Sequence, residues 1–330
     1  MKPLLTIIIA VEDNHTIEDV RKTVESALLQ TSDKVSILAV GDKPVEYTKE
    51  VLSEYSEKNA GKIRVIYTDE KRGAGGAFNL GLRNADTEWI AFLNEGDALS
   101  KEFAEKLLET ADKTGADVVS CASNSPENDT DEAVYNETEE LDDFERIAIM
   151  CANPGELESK IYKRSIFDDN GLWFPERVSF EKLGVKRLAL LCANRHEHTD
   201  EKLYFFAEGE KETELQDLYD RLDVMTYFIE ECYKREFLEE YPEEVEFAVI
   251  EDMYVKTLFD YINITPPRKR KITFLEMLAE AITDCFPEFE TNPYYYEKYD
   301  DEIKDLIELH VTSPYKFIKQ TMKITEIDVQ

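Results

Sequence analysis

Phe92-Leu93-Asn94-Glu95-Gly96-Asp97-Ala98-Leu99 carries an apolar run straight into an acidic turn. Such a junction at the end of a strand is where an α/β sheet offers polar groups to a charged ligand. Reading toward the N-terminus, Leu4 to Val11 is a β-branched run that predicts a strand buried on both faces of a mostly parallel sheet. After Asn14-His15-Thr16, the apolar residues Ile17, Val20, Val24, Ala27 and Leu28 recur at helical spacing. Strands at Val35 to Val40, Ile63 to Tyr67 and Trp89 to Leu93 then alternate with helices near Val45 to Asn59 and Ala77 to Asn84. This βαβ order predicts right-handed crossovers, with ligand loops at the carboxyl ends of the strands.

Toward the C-terminus the pattern predicts a helix from Lys101 to Thr114, a strand from Ala116 to Cys121 and an acidic surface loop from Asn124 to Asp143. A strand at Ser159 to Tyr162, a helix at Leu183 to Asn194 and a strand at Lys202 to Phe206 complete the α/β part. Beyond Gly209 the chain turns to amphipathic helices. Leu215, Leu218, Leu222, Met225, Ile229 and Cys232 form one apolar stripe, expected to pack on the chain's own helices, with an intermolecular coiled coil as the alternative. The domains expected are therefore residues 1–207 and a helical part, 208–330.

The formal charge of −33, from 72 acidic and 39 basic residues, repels phosphodiester backbones and disfavours nucleic acid as a partner. Arg268-Lys269-Arg270-Lys271 is the exception, either a solvated loop or a peripheral contact with anionic headgroups. No apolar run is long enough to span a bilayer, and the N-terminus has no signal-peptide flank, so a cytoplasmic location is expected. Five scattered cysteines suit buried thiols better than disulfides or a zinc site. His196 and His198 are expected as solvated loop residues, and the Asn292-Pro293-Tyr294-Tyr295-Tyr296 cluster as helix-boundary packing, with sugar stacking as its alternative.

Four ordered segments resemble the GT-A glycosyltransferases of family 2. Thr6 to Val11 with Ser26-Ala27-Leu28-Leu29-Gln30-Thr31 resembles the family's opening strand and Ser-Leu-x-x-Gln-Thr helix end. Val40-Gly41-Asp42-Lys43-Pro44 keeps one acid of Val-Asp-Asp-Gly-Ser, and Lys71 to Gly81 resembles Asn-x-Gly-x-x-x-Ala-Arg-Asn-x-Gly, with Phe78 in place of the arginine. The quoted turn resembles Phe-Leu-Asp-Ser-Asp-Asp, with Asn94 and Gly96 replacing two aspartates. Phe174-Pro175-Glu176 to Glu181-Lys182 resembles Phe-Pro-Glu-x-x-x-x-Glu-Asp, with Lys182 in place of the general base.

The resemblance implies an α/β GT-A fold, nucleotide-diphosphosugar transferase-like, with a mixed, mainly parallel sheet and a C-terminal helical domain. It implies inverting transfer of a sugar from a nucleotide-diphosphosugar to a hydroxyl of a glycan or lipid-linked acceptor, in polysaccharide biosynthesis. By the same likeness Asp42, Arg72, Gly73, Asn79 and Asn94 would bind the donor, the glycine-rich turn presenting N–H groups to its phosphates. Glu95 and Asp97 would hold Mg²⁺ or Mn²⁺ or else be a solvated turn, and Glu181, beside Lys182, would replace the missing base. These departures imply slow or absent transfer, and restoring Asn94→Asp, Gly96→Asp and Lys182→Asp together should strengthen metal-dependent donor binding. The rival from another class is a catalytically silent GT-A module that binds sugar, nucleotide or a partner protein. A dinucleotide-binding Rossmann enzyme fits less well, since Val11 to His15 lacks the glycine fingerprint. Donor, acceptor and oligomeric state stay open.

Overall fold

A computed structural model describes residues 2–124, 142–207 and 213–322, in two compact units, Met1–Gly209 and Glu210–Gln330. Residues 125–141, most of the expected acidic loop, lie outside the described residues. Unit 1 is built on an eight-stranded sheet ordered β3-β2-β1-β4-β7-β6-β8-β5. Its strands are β1 (Leu5–Val11), β2 (Val35–Gly41), β3 (Ile63–Tyr67), β4 (Trp89–Asn94), β5 (Ala98–Leu99), β6 (Val118–Ser123), β7 (Lys160–Lys163) and β8 (His196–Phe205). Strands β3, β2, β1 and β4 pair in parallel, and β6 pairs in parallel with β8. Antiparallel pairing of β7 with β4 and β6, and of β5 with β8, makes the sheet mixed.

Every residue of β1 is buried, as its unbroken β-branched run requires. Ile7, Ile9 and Val11 face a core shared with Val20, Val24 and Ala27 of helix α1 (Ile17–Leu28) and with Phe103 and Leu107 of helix α4 (Phe103–Thr114). On the other face, helix α3 (Gly73–Asn84) lies so close that a Cβ on Gly81 would meet Ile8 Cγ2 at 2.3 Å. The register pairs Val11 with Gly41, Gly41 with Tyr67, and Ala10 with Asn94. The residues that follow these strands, Glu12, Asp42, Thr68 and Glu95, therefore emerge side by side at one edge. Strand order reverses between β1 and β4, and that is where α/β sheets open their ligand crevice.

Phe78 is fully buried in a cluster of rings. Its ring centroid lies 5.0 Å from Phe92 and 5.3 Å from Phe174, and Phe92 in turn meets Phe167 at 5.5 Å. The position that carries an arginine in the family motif is here a core position. The glycines beside it serve packing as well: a Cβ on Gly75 would lie 2.1 Å from the Pro175 carbonyl oxygen.

The expected place of the two histidines needs correction. His196 and His198 are not in a loop, because β8 begins at His196 and pairs with β6 through Val118↔His196 and Ser120↔His198. The polar run His196 to Lys202 hides a strand, since its register is set by β6 and not by its own alternation. Burial holds His196 well below the ordinary histidine range, and His198 Nδ1 shares a 2.8 Å hydrogen bond with Ser120 Oγ.

In unit 2, the helix Leu215–Lys234 buries Leu218, Arg221, Val224, Met225, Phe228 and Cys232. The expected stripe is rotated: Leu215 is 43% exposed, while Leu222 and Ile229 are only half-buried. Phe228 and the ion-paired Arg221, 2.7 Å from Asp260, take the inward positions. This helix packs on the π-helix Val249–Val255 and the helix Lys256–Ile264 of its own unit. Nor is the basic island all solvated, because Arg270 is buried and donates to the carbonyls of Thr265, Ile262 and Thr321. Asn292 caps the helix Pro293–Lys298 through Tyr294 N and Tyr295 N, and Tyr295 is buried beneath it.

Restoring the family arginine by Phe78→Arg should abolish cooperative unfolding or lower stability by more than about 3 kcal/mol, because it buries an unpaired charge and opens the ring cluster. Phe78→Leu should cost about 1 to 2 kcal/mol. Urea titration of both variants separates the two outcomes.

Candidate active site

Asp42, Glu95 and Asp97, at or just beyond the row of strand ends, are each answered by specific donors. Asp42 is completely buried. Its Oδ1 accepts Thr68 Oγ1–H at 2.8 Å and Arg72 N–H at 2.9 Å, and its Oδ2 accepts Gly73 N–H at 2.9 Å. A carboxylate here meets the positive end of the α3 dipole and satisfies amides with no intrahelical partner. The structure thus brings Asp42 and Gly73 together as expected but joins them to each other. The first amides of α3, expected to cradle phosphate, are capped by the protein's own anion.

The turn after β4 behaves similarly. Glu95 is expected as a metal ligand, yet its Oε2 accepts the amides of Glu12 and Asp13 at 2.6 and 3.0 Å, and its Oε1 that of His15 at 3.1 Å. It clamps the loop between β1 and α1. Asp97 Oδ2 accepts Tyr204 Oη–H at 2.7 Å and Asn94 Nδ2–H at 3.3 Å, and Oδ1 accepts Ala207 N–H at 2.8 Å. Burial raises the Asp97 carboxyl above its ordinary range against the lowering pull of Tyr204 and Ala207. Mg²⁺ and Mn²⁺ take several oxygen ligands each. Among the described residues no group of three His, Cys, Asp or Glu side chains converges on a point, and every oxygen of Glu95 and Asp97 already accepts a hydrogen bond from the protein, an arrangement that fits a structural clamp better than the expected ion.

Gly96, between them, has φ +95° and its Cβ position lies 3.0 Å from His15 Cε1. Restoring the family aspartate there is therefore strained, a stability cost that the triple restoration carries with it. The backbone has adapted to glycine.

Asn94, Glu158 and Lys182 form the polar centre of the crevice. Asn94 Nδ2 donates to Glu158 Oε1 at 2.5 Å, and the Lys182 ammonium is ion-paired to the same oxygen. The Glu158 side chain is 1% exposed and that of Lys182 is 28% exposed, so the pair opens toward solvent on its lysine side. Burial pulls the lysine down, but the charges of Glu158 and Glu181 outweigh it and hold Lys182 above the ordinary range. Held above its ordinary range, the Lys182 amine is ill suited to accept a proton, in keeping with Glu181 as the expected substitute for the base. Glu181 stays a candidate: it is buried at the start of the helix Lys182–Leu191 and acts electrostatically on Glu12.

Glu12, Glu158 and Tyr204 were not singled out by the sequence. Glu12 carries the clearest signature, a carboxyl raised to about 7 by burial and by the charges of Glu181 and Asp42, with Lys182 and Lys71 pulling it down. Its place directly after the first buried strand was the available signal. Nothing local marked Glu158, which is 64 residues from Asn94 in the chain.

The other expected donor-binding residues knit the crevice wall. Asn79 donates to the Phe174 carbonyl at 2.9 Å and to Glu176 Oε1 at 3.1 Å, and accepts from Phe174 N–H at 2.9 Å. Arg72 is ion-paired with Asp69, Glu70 and Glu176. Lys71 Nζ donates to the Glu12 carbonyl at 2.7 Å.

Comparison with known proteins gives these positions a context. The family model described as "Glycosyl transferase family 2" matches residues 6–173. EpsH of Bacillus subtilis (strain 168) is 27% identical over 186 residues, which cover 54% of this chain and 52% of EpsH. The poly(ribitol-phosphate) beta-N-acetylglucosaminyltransferase TarS of Staphylococcus aureus is 24% identical over 220 residues, covering 62% of this chain and 38% of TarS. The matches thus span about half the length of EpsH and less of TarS. The crystal structure of S. aureus TarS 1–349 in complex with UDP-GlcNAc superposes with a TM-score of 0.68 at 17% identity, covering 98% of this chain and 91% of that one, which establishes a shared fold.

Two measurements check this geometry. Gly96→Asp should lower stability by about 1 to 3 kcal/mol in urea, because φ +95° suits glycine alone. Glu12, with its folded carboxyl at about 7 against an ordinary 4.5, contributes stability that is fully present below pH 4.5 and lost as pH rises through about 7. Glu12→Gln should flatten that decline, and parallel denaturation curves at pH 5 and pH 8 would detect it.

Proposed function

The chain belongs to glycosyl transferase family 2, and from that premise we propose that it transfers a sugar, with inversion and slowly, from a nucleotide-diphosphosugar to the hydroxyl of a glycan or lipid-linked acceptor. The observation that carries the reading is the convergence of Glu12, Asp42, Glu181, Lys71 and Lys182 at the carboxyl ends of the parallel strands, where burial and then the charges of Glu181 and Asp42 raise the Glu12 carboxyl to about 7 against the pull of Lys182 and Lys71. A carboxylate that exchanges its proton near neutrality is suited to take one from an attacking hydroxyl. Glu181 holds the position next to the family's base and is the residue assigned that role, with Glu12 as the group that sets its charge environment. Slow transfer follows from the displacement of the base by one residue: the protonated Lys182 at the family's base position accepts no proton, so transfer relies on its neighbour Glu181.

A second reading is a GT-A module that binds a donor or partner without turnover. The specific observation favouring it is that Asp42, Glu95 and Asp97 spend their oxygens on the protein's own donors. The S. aureus TarS fragment crystallised with UDP-GlcNAc makes that sugar the first donor to try, followed by GDP, CDP and dTDP sugars.

Release of nucleoside diphosphate from this panel should be slow in the native chain and fall at least about 10²-fold with Glu181→Gln. If Glu12→Gln abolishes release instead, and the native pH profile breaks near 7, the base is Glu12. Binding with no release from any donor would establish the silent module.

A further inference from the structure

The carboxylates of the turn, Glu95 and Asp97, are engaged by the protein's own donors, yet any diphosphate bound beside Asn94 and Asp97 requires positive charge. The described cations nearby differ in what they have left to give. Arg72 is shared among Asp69, Glu70 and Glu176, and Arg177 is paired with Glu70 at 2.5 Å. The Lys71 ammonium, on an exposed side chain, donates to the Glu12 carbonyl at 2.7 Å. Lys182 is set apart by its anchor: its ammonium is ion-paired to the buried Glu158, its side chain is 28% exposed, and an ammonium has three N–H donors.

The anchor also fixes its location. Glu158 Oε1 accepts from both Lys182 and Asn94, so the ammonium lies next to the first residue of the β4 turn. Glu158 Oε2 is buried with no hydrogen-bond partner among the described residues, so Lys182 and Asn94 supply the compensation that keeps this carboxylate in place. The carboxylates of the strand ends are engaged elsewhere, since amides hold Asp42 and Glu95 while Tyr204 and Ala207 hold Asp97; Glu158 and Glu181 are the acids whose charge acts most on the ammonium.

We propose that Lys182 is the built-in cation of this crevice: anchored on Glu158 beside Asn94 and Asp97, its ammonium hydrogen-bonds the diphosphate of the nucleotide donor in place of a divalent ion. The inference rests on the nucleotide-sugar reading above. It assigns the substitution at the family's base position a use, as a phosphate-binding charge that makes donor binding independent of metal.

Calorimetric titration of UDP, GDP, CDP and dTDP into the full chain, in EDTA and in Mn²⁺, tests it directly. The nucleotide that binds should do so in EDTA within about 3-fold of its affinity in Mn²⁺. Lys182→Met combined with Glu158→Gln removes both charges, so neither is stranded, and should weaken binding about 10- to 100-fold in both buffers while the chain still unfolds cooperatively. Native binding that disappears in EDTA and returns with Mn²⁺ would overturn the proposal, and this comparison needs no variant to fold. So would a folded double variant that binds as tightly as the native chain. Failure of all four nucleotides to bind in either buffer would remove the donor reading and the lysine's role with it, an outcome distinct from metal-dependent binding.

Discussion

A buried carboxylate must be answered by a donor or a cation, and the end of this sheet is organised by that requirement. Parallel pairing of β1 with β2 and β4 delivers Glu12, Asp42 and Glu95 to one edge, and β7 and β8 add Glu158 and Tyr204 from the far half of the unit. Each acid then selects its own compensation. Asp42 takes the N-terminus of α3, Glu95 takes three amides of the loop after β1, Asp97 takes Tyr204 and Ala207, and Glu158 takes Lys182 and Asn94.

This pattern changes what the family motifs mean in this chain. A glycine-rich turn opening a helix is physically suited to phosphate, but the same amides are equally suited to an internal carboxylate. Here Gly73 is bonded to Asp42, and Gly75 has no side chain because the Pro175 carbonyl lies against it. Phe78 extends the logic: with the family's arginine gone, the position joined the aromatic core around Phe92. The crevice wall is correspondingly well fastened, with Asn79 bridging α3 to the Phe174–Glu176 segment by three hydrogen bonds.

The two groups that stand apart are those not fully settled by their neighbours. Burial and then like charge raise the Glu12 carboxyl to about 7, and the Lys182 side chain stays 28% exposed beside Glu158. Perturbed and partly accessible groups at a topological switch point are where chemistry or binding is expected in an α/β sheet. Lys182 belongs to this chain's own departures from the family pattern, since it stands where the family motif has an aspartate.

The sequence by itself determined the sheet and its crevice. Unbroken apolar runs such as Leu5 to Val11 can only be strands buried on both faces, and their alternation with amphipathic helices leaves few topologies. It also identified the segments whose residues meet, from Asp42 and Gly73 to Asn94 and Lys182. Only the tertiary structure decided which way each side chain turned, because hydrogen bonds such as Glu158 to Asn94 or Tyr204 to Asp97 join residues 64 and 107 positions apart and leave no local periodicity. Strand β8 was hidden for the same reason. Its polar residues were ordered by pairing with β6, an energy set by a neighbour distant in the chain and not by their own preference.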